Sequence, residues 1–83
     1  MLLKPLRADL LLYLKKRNLI RKWVKVSTLF VQDHRHPSIK FELLQPKWRG
    51  IFSFRIDKKY RALCFVAKGE IIEVFQITNH YKK

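Results

Sequence analysis

The chain is 83 residues long and carries 19 Lys+Arg against 6 Asp+Glu, a formal charge of +13. That length holds one domain, 1–83, and a chain this short buries only about 60% of the surface its unfolded form exposes, so its core must be thin. An apolar content of 48% excludes a disordered chain, no apolar run reaches the roughly 18 residues of a membrane span, and the single Cys64 excludes both an internal disulfide and a Cys-rich zinc ribbon.

Leu6, Leu10, Tyr13 and Leu14 recur at helical spacing with Arg7, Lys15, Lys16 and Arg17 on the other side. Pro5 suits the entry to that helix, because a first-turn residue needs no N–H. Asn18 tolerates the left-handed conformation that ends helices. Ile20, Trp23, Val26 and Phe30 then form a second apolar stripe, which makes the first part an αα-hairpin with a very short connection. Asp33 to Ser38 reads as a loop, since Pro37 biases His36 away from helix.

From Ile39 the period changes to two. Lys40-Phe41-Glu42-Leu43-Leu44 is either a short strand or an extended arm that stops before Pro46. Ile51 to Ile56 alternates, with Phe52, Phe54 and Ile56 on one face and Ser53 and Arg55 on the other. Tyr60 to Val66 and Ile71 to Thr78 are two more strands, joined by a tight Lys68-Gly69 turn, and Asp57-Lys58-Lys59 makes the turn before them. The expected fold class is α+β, an N-terminal helical hairpin packed on one face of an antiparallel three- to four-stranded sheet. The opposite face, bearing Ser53, Arg55 and Arg61, is left free to bind.

The basic residues are not confined to a tail: residues 1–38 are net +7 and residues 39–83 net +6. Charge of one sign all over a folded body repels itself, and a polyanionic partner relieves that repulsion. Nucleic acid and acidic protein are the obvious candidates. A membrane surface fits poorly, because no segment combines a strong apolar face with sparse core-forming neighbours. The lone cysteine suits a reducing cytoplasm. No basic segment followed by a hydrophobic stretch and a small-residue cleavage site opens the chain, so no signal peptide is expected.

Individual residues suggest chemistry, each beside a plainer reading. Glu42 points away from its neighbours Phe41 and Leu43, and a carboxylate in such a place can serve as a general base. Arg61 lies within an apolar strand, where an unpaired charge is expensive; it either serves a site or makes a structural salt bridge to Glu42 or Glu73. Asn79-His80-Tyr81 follows the last strand and either moves protons or packs as tail surface. His34-x-His36 has metal-ligand spacing, but nothing fixes a third or fourth ligand and Arg35 repels a cation, so no metal is expected. Only Gly50 and Gly69 are present, too few for a phosphate-cradling loop. Cys64 faces away from Arg61 and reads as core. Trp23 is core by its stripe. Trp48 either stacks on a base or plugs the sheet edge.

Taken together, the stretches His36 to Leu44, Trp48 to Ile56, Lys59-Tyr60-Arg61-Ala62-Leu63 and Ile77-Thr78-Asn79-His80-Tyr81 resemble the RelE/ParE superfamily of type II toxins. The most similar branch is the YoeB-type ribosome-dependent mRNA endoribonucleases. Their ordered glutamate, arginine and terminal His-Tyr fall here on Glu42, Arg61, His80 and Tyr81. The resemblance implies a first strand ahead of helix one, for which only Met1-Leu2-Leu3-Lys4 is available: a very short strand, or a missing edge. Lys82 and Lys83 follow the His-Tyr pair where that branch often ends.

The resemblance further implies cleavage by attack of a ribose 2′-hydroxyl, without metal or other cofactor. It gives Glu42 the role of base, Arg61 that of oxyanion partner and His80 that of acid, while Tyr81 orients the phosphate or stacks on a base. Lys40, Lys47, Trp48, Arg49, Arg55, Lys82 and Lys83 would bind RNA. The implied partners are mRNA, ribosomal RNA at the A site and an acidic cognate antitoxin. The competing classes are a gyrase poison of the ParE kind, which shares the fold but not the catalytic set, and an inactive basic RNA-binding domain.

Overall fold

The computed structural model describes residues 1–79. Helix α1 spans Ala8–Lys16 and buries Leu10 and Leu14, one turn apart, while Lys15 and Lys16 sit in its last turn near the carbonyl end of the dipole. It starts at Ala8 with Arg7 in the capping position, so Pro5 precedes the helix and is not in its first turn. Asn18 adopts the left-handed conformation expected of it, with φ 54°, and the Leu19 amide returns to the Leu14 carbonyl at 2.9 Å. Helix α2, Ile20–Gln32, buries Trp23, Val26 and Phe30, the stripe read from the sequence.

Among the described residues the sheet contains five strands, more than the three to four expected, in the spatial order Leu2–Leu3 (β1), Ile71–Thr78 (β5), Arg61–Ala67 (β4), Ile51–Arg55 (β3) and Glu42–Leu43 (β2). The two outer strands are short. Strand β1 is Leu2–Leu3 and runs parallel to β5, Ile71–Thr78; the very short first strand is therefore present and the sheet is mixed. Strand β2, Glu42–Leu43, pairs antiparallel with β3, Ile51–Arg55, which pairs with β4, Arg61–Ala67. The β4–β5 connection departs from the two-residue Lys68-Gly69 turn. Ala67 pairs with Ile71, and Gly69 and Glu70 both take positive φ, 78° and 60°, so the loop needs three residues to reverse the chain. At the other end of β4, the Asp57 carboxylate accepts the Lys59 and Tyr60 amides, each at 2.8 Å, and fixes that turn.

The helices cover one face. Phe54, Ala62, Cys64, Ile72, Val74 and Ile77 of the sheet bury against Leu10, Leu14, Trp23, Val26 and Phe30 of the helices, with Ile39 and Ile56 closing the margins. Burial pushes the Cys64 thiol up to about 12, so this side chain is an inert core group. One irregularity shapes the other face. Leu63 pairs with Gln76 but Cys64 with Val74, which leaves Phe75 as the extra residue of a β-bulge. The bulge keeps Val74 and Ile77 on the helix side despite their odd spacing, and it puts Phe75 and Gln76 together on the open side.

Phe30 is the centre of this core. It is fully buried, and its ring lies 4.9 Å from that of Phe54 and 5.1 Å from that of Phe41 between centroids. Phe30→Ala is expected to lower the unfolding free energy in urea by about 3–5 kcal/mol, whereas Val24→Ala should change it by no more than about 0.5 kcal/mol. Val24 lies on the same helix but is 55% exposed. Equal losses from the two substitutions would remove Phe30 from the centre of the core.

Candidate functional site

The pleat and the strand register assemble the open face. Glu42, Ser53, Leu63 and Gln76 stand opposite one another across four strands, and Arg55, Arg61 and Thr78 form the neighbouring row. Residues two apart on a strand share a face, so all of these side chains project away from the helices. This is the side on which the alternation places Ser53, Arg55 and Arg61.

Arg61 is the buried charged member of the group, 7% exposed, and the Ser53 beside it is fully buried. Its Nε and Nη2 donate to the Ser53 hydroxyl at 3.1 and 2.9 Å, and Nη2 also donates to the Lys40 carbonyl at 2.9 Å. Oε1 of Glu42 lies 3.6 Å from the same Nη2. Of the two structural partners foreseen for Arg61, Glu42 is the one in place; Glu73 pairs instead with Lys4 at 3.2 Å. Lys40 delivers its carbonyl from the left-handed conformation, φ 50°, which a residue with a Cβ adopts only when its surroundings demand it.

Glu42 and Arg61 line a hollow of about 440 Å³ together with Lys40, Arg55 and Asn79; the turn residues Asp57, Lys58 and Lys59 complete its wall. Arg55 is held over the turn by a bond from its Nε to the Asp57 carbonyl. Partial burial pushes the Asp57 carboxyl up, but the Lys22 ammonium at 3.0 Å and the Tyr60 and Lys59 amides together outweigh that and hold it below its ordinary value. The hollow thus offers one half-exposed carboxylate beside a fixed guanidinium, surrounded by further cations.

The structure does not bring every expected residue here. Lys47, Trp48 and Arg49 form a single 3-10 turn between β2 and β3, away from Arg61. Trp48 is 84% exposed and therefore does not plug the sheet edge. Arg49 lines a second hollow on the same face, described below. His80, Tyr81, Lys82 and Lys83 lie outside the described residues. His34 packs on Phe30 and Phe41, and His36 Nδ1 lies 2.8 Å from the Ser38 hydroxyl; among the described residues no three His, Cys, Asp or Glu side chains gather to hold a metal. No helix among the described residues is long and apolar enough to cross a membrane.

Ser53 is the site residue whose role is not evident from sequence. A lone hydroxyl between Phe52 and Phe54, in phase with Arg55, was the available signal. Replacing Ser53 with Ala removes the acceptor of two guanidinium hydrogen bonds and should cost about 1.5–3 kcal/mol of stability in urea denaturation. A loss below about 0.5 kcal/mol would mean that Arg61 does not depend on this anchor.

No protein-family model matches the sequence, and no curated protein matches it. Solved structures do match the fold. A YoeB/ParE toxin from Agrobacterium tumefaciens superposes with a TM-score of 0.68 at 20% identity, over 96% of this chain and 96% of that one. A heterotetrameric YoeB–YefM toxin–antitoxin complex from Staphylococcus aureus gives a TM-score of 0.64 at 19% identity, over 96% of this chain and 94% of the matched chain. The chain therefore has the YoeB-like fold, α+β with two helices on a five-stranded sheet.

Proposed function

We propose that this chain is the toxin of a type II toxin–antitoxin pair and acts in the cytoplasm as a metal-independent endoribonuclease on translated mRNA. The observation that carries the reading is the convergence of Glu42 and Arg61 in one hollow on the sheet face that the helices leave open. The fold shared along nearly the whole chain with YoeB-type structures supports it.

The chemistry needs three groups around one phosphodiester. The Glu42 carboxylate takes the proton from a ribose 2′-hydroxyl, whose oxygen attacks the adjacent phosphorus. Charge grows on the non-bridging oxygens as the P–O5′ bond breaks, and the Arg61 guanidinium stabilises it. Because Ser53 and the Lys40 carbonyl are neutral acceptors, they orient Arg61 without cancelling its charge. His80 gives a proton to the departing 5′-oxygen, which leaves a 2′,3′-cyclic phosphate and a 5′-hydroxyl. Its neighbour in sequence, Asn79, lines the hollow. Tyr81 orients the phosphate or stacks on a base. Lys40 and Arg55 add positive potential, and Lys47, Trp48, Arg49, Lys82 and Lys83 hold flanking RNA.

In-line attack requires the RNA to be held extended. A domain this small gains that positioning from the ribosomal A site, and its charge of +13 provides adhesion to ribosomal RNA. The same cations attract an acidic antitoxin segment that folds on binding.

Glu42→Gln, Arg61→Ala and His80→Gln should each slow cleavage by about 10²- to 10³-fold, read by mapping transcript 5′ ends shortly after induction. Undiminished cutting in all three, or DNA damage without mRNA cleavage, would end the assignment, the latter in favour of a gyrase poison. Association with ribosomes should also weaken by on the order of tenfold or more between about 50 and 200 mM salt. Binding indifferent to salt would contradict an electrostatic footprint.

A further inference from the structure

Beside the Arg61 hollow, on the same open face, lies a second hollow of about 260 Å³ with a different character. Its floor is apolar, made by Ile51, Leu63 and Phe75, and exposed Gln76 and Arg49 stand at its edge. The two hollows adjoin. Leu63 is two residues from Arg61 on β4, and Leu44, which lines the second hollow, is two residues from Glu42, so each pair is about 7 Å apart along its chain.

The bulge in β5 creates this surface. In a regular strand Phe75 and Gln76 would point to opposite faces; the extra residue delivers an aromatic ring and a carboxamide side by side to the open one. The Phe75 ring is braced by Phe65, 6.0 Å away between centroids. A half-buried ring next to a donor–acceptor amide suits a flat, polar-edged group, and the volume is below the roughly 300–1,000 Å³ of drug-sized ligand sites. Single-stranded RNA supplies such groups at each step of its backbone, and proteins hold unstacked bases on aromatic side chains while cations take the phosphates. The surrounding charge fits that occupant: Arg49 at the edge, and Arg55 and Lys40 across the adjoining hollow.

We propose that the hollow floored by Leu63 and Phe75 seats the nucleobase next to the scissile phosphate, with the Gln76 carboxamide reading its edge. This rests on the reading of the chain as an RNA-cleaving protein, but it concerns base binding and does not require the cleavage step. Phe75 and Gln76 would then be specificity residues, distinct from the groups that touch the phosphate.

The test uses the full chain and a six-nucleotide 2′-O-methyl RNA, which cannot be cut, against an abasic sugar–phosphate of the same length and charge. The wild type should bind the base-bearing strand about tenfold or more tightly than the abasic one. Phe75→Ala and Gln76→Ala should each shrink that ratio severalfold while leaving the salt dependence of both strands unchanged. Gln76 is exposed, so its substitution reports even where Phe75→Ala loosens β5. The amide NMR signals of Leu63 and Gln76 should move with the base-bearing strand and not with the abasic one.

A wild-type ratio near one would overturn the proposal. So would a ratio that survives both substitutions but collapses in Trp48→Ala, which would seat the base elsewhere. Movement of the Leu63 and Gln76 signals with an acidic peptide, but not with RNA, would overturn it as well and make the hollow a protein-docking surface. Loss of the cleavage assignment is read separately from transcript 5′ ends and leaves this binding measurement intact.

Discussion

The open face is organised around one buried guanidinium. Placing Arg61 at the start of β4 with 7% of its surface exposed removes a permanent charge from water, which is tolerated only where hydrogen bonds replace the lost solvent. The Ser53 hydroxyl and the Lys40 carbonyl supply them, and Glu42 approaches from the edge strand. Three segments must be in register for this to happen. Lys40 must also hold its left-handed backbone, a local strain on the order of 1–3 kcal/mol at a residue with a full side chain. That strain lies directly beside a buried cation, whose hydrogen bond it makes possible.

The two faces of the sheet divide the work. The helix side takes the large apolar side chains and, with Phe30 and Phe54 at its centre, supplies the cohesion that so short a chain requires. The open side is free of that duty and carries a graded surface, cationic around Arg61 and apolar around Leu63 and Phe75. A regular β5 would not produce that gradient. The bulge opposite Leu63 and Cys64 serves both faces at once, since it holds Val74 and Ile77 in the core while releasing Phe75 outward.

Excess positive charge is left largely uncompensated. Lys4–Glu73 and Arg7–Asp9 are exposed ion pairs, which contribute little to stability, and Lys22–Asp57 joins an exposed ammonium to a partly buried carboxylate. Their effect is local. Asp9 is held below its ordinary value chiefly by its bond with Arg7, against an opposing push from desolvation, and Lys22–Asp57 ties α2 to the turn that forms one wall of the Arg61 hollow. The remaining cations project a field that favours polyanions and disfavours self-association.

Periodicity made the helices and the central strands legible. The stripe of Trp23, Val26 and Phe30, the break at Asn18 and the alternation from Ile51 to Ile56 depend on local geometry, and each corresponds to an element where the residues place it. The sidedness of Arg61 against Cys64 was legible for the same reason, because strand side chains alternate. Two features depend on distant partners and were not legible: the bulge at Phe75, and the anchoring of Arg61 by Ser53 and the Lys40 carbonyl; strand β1, whose pairing with β5 joins residues about 70 positions apart, was expected only as a very short strand or a missing edge. A hydroxyl or a carbonyl carries no mark in the sequence of which guanidinium it will meet, and a bulge is a mismatch between two strands, a property that neither strand has by itself. The residues determined which groups would share a face; only the tertiary structure decided which of them come within hydrogen-bonding distance, because register is set by the packing of the whole sheet against the helices.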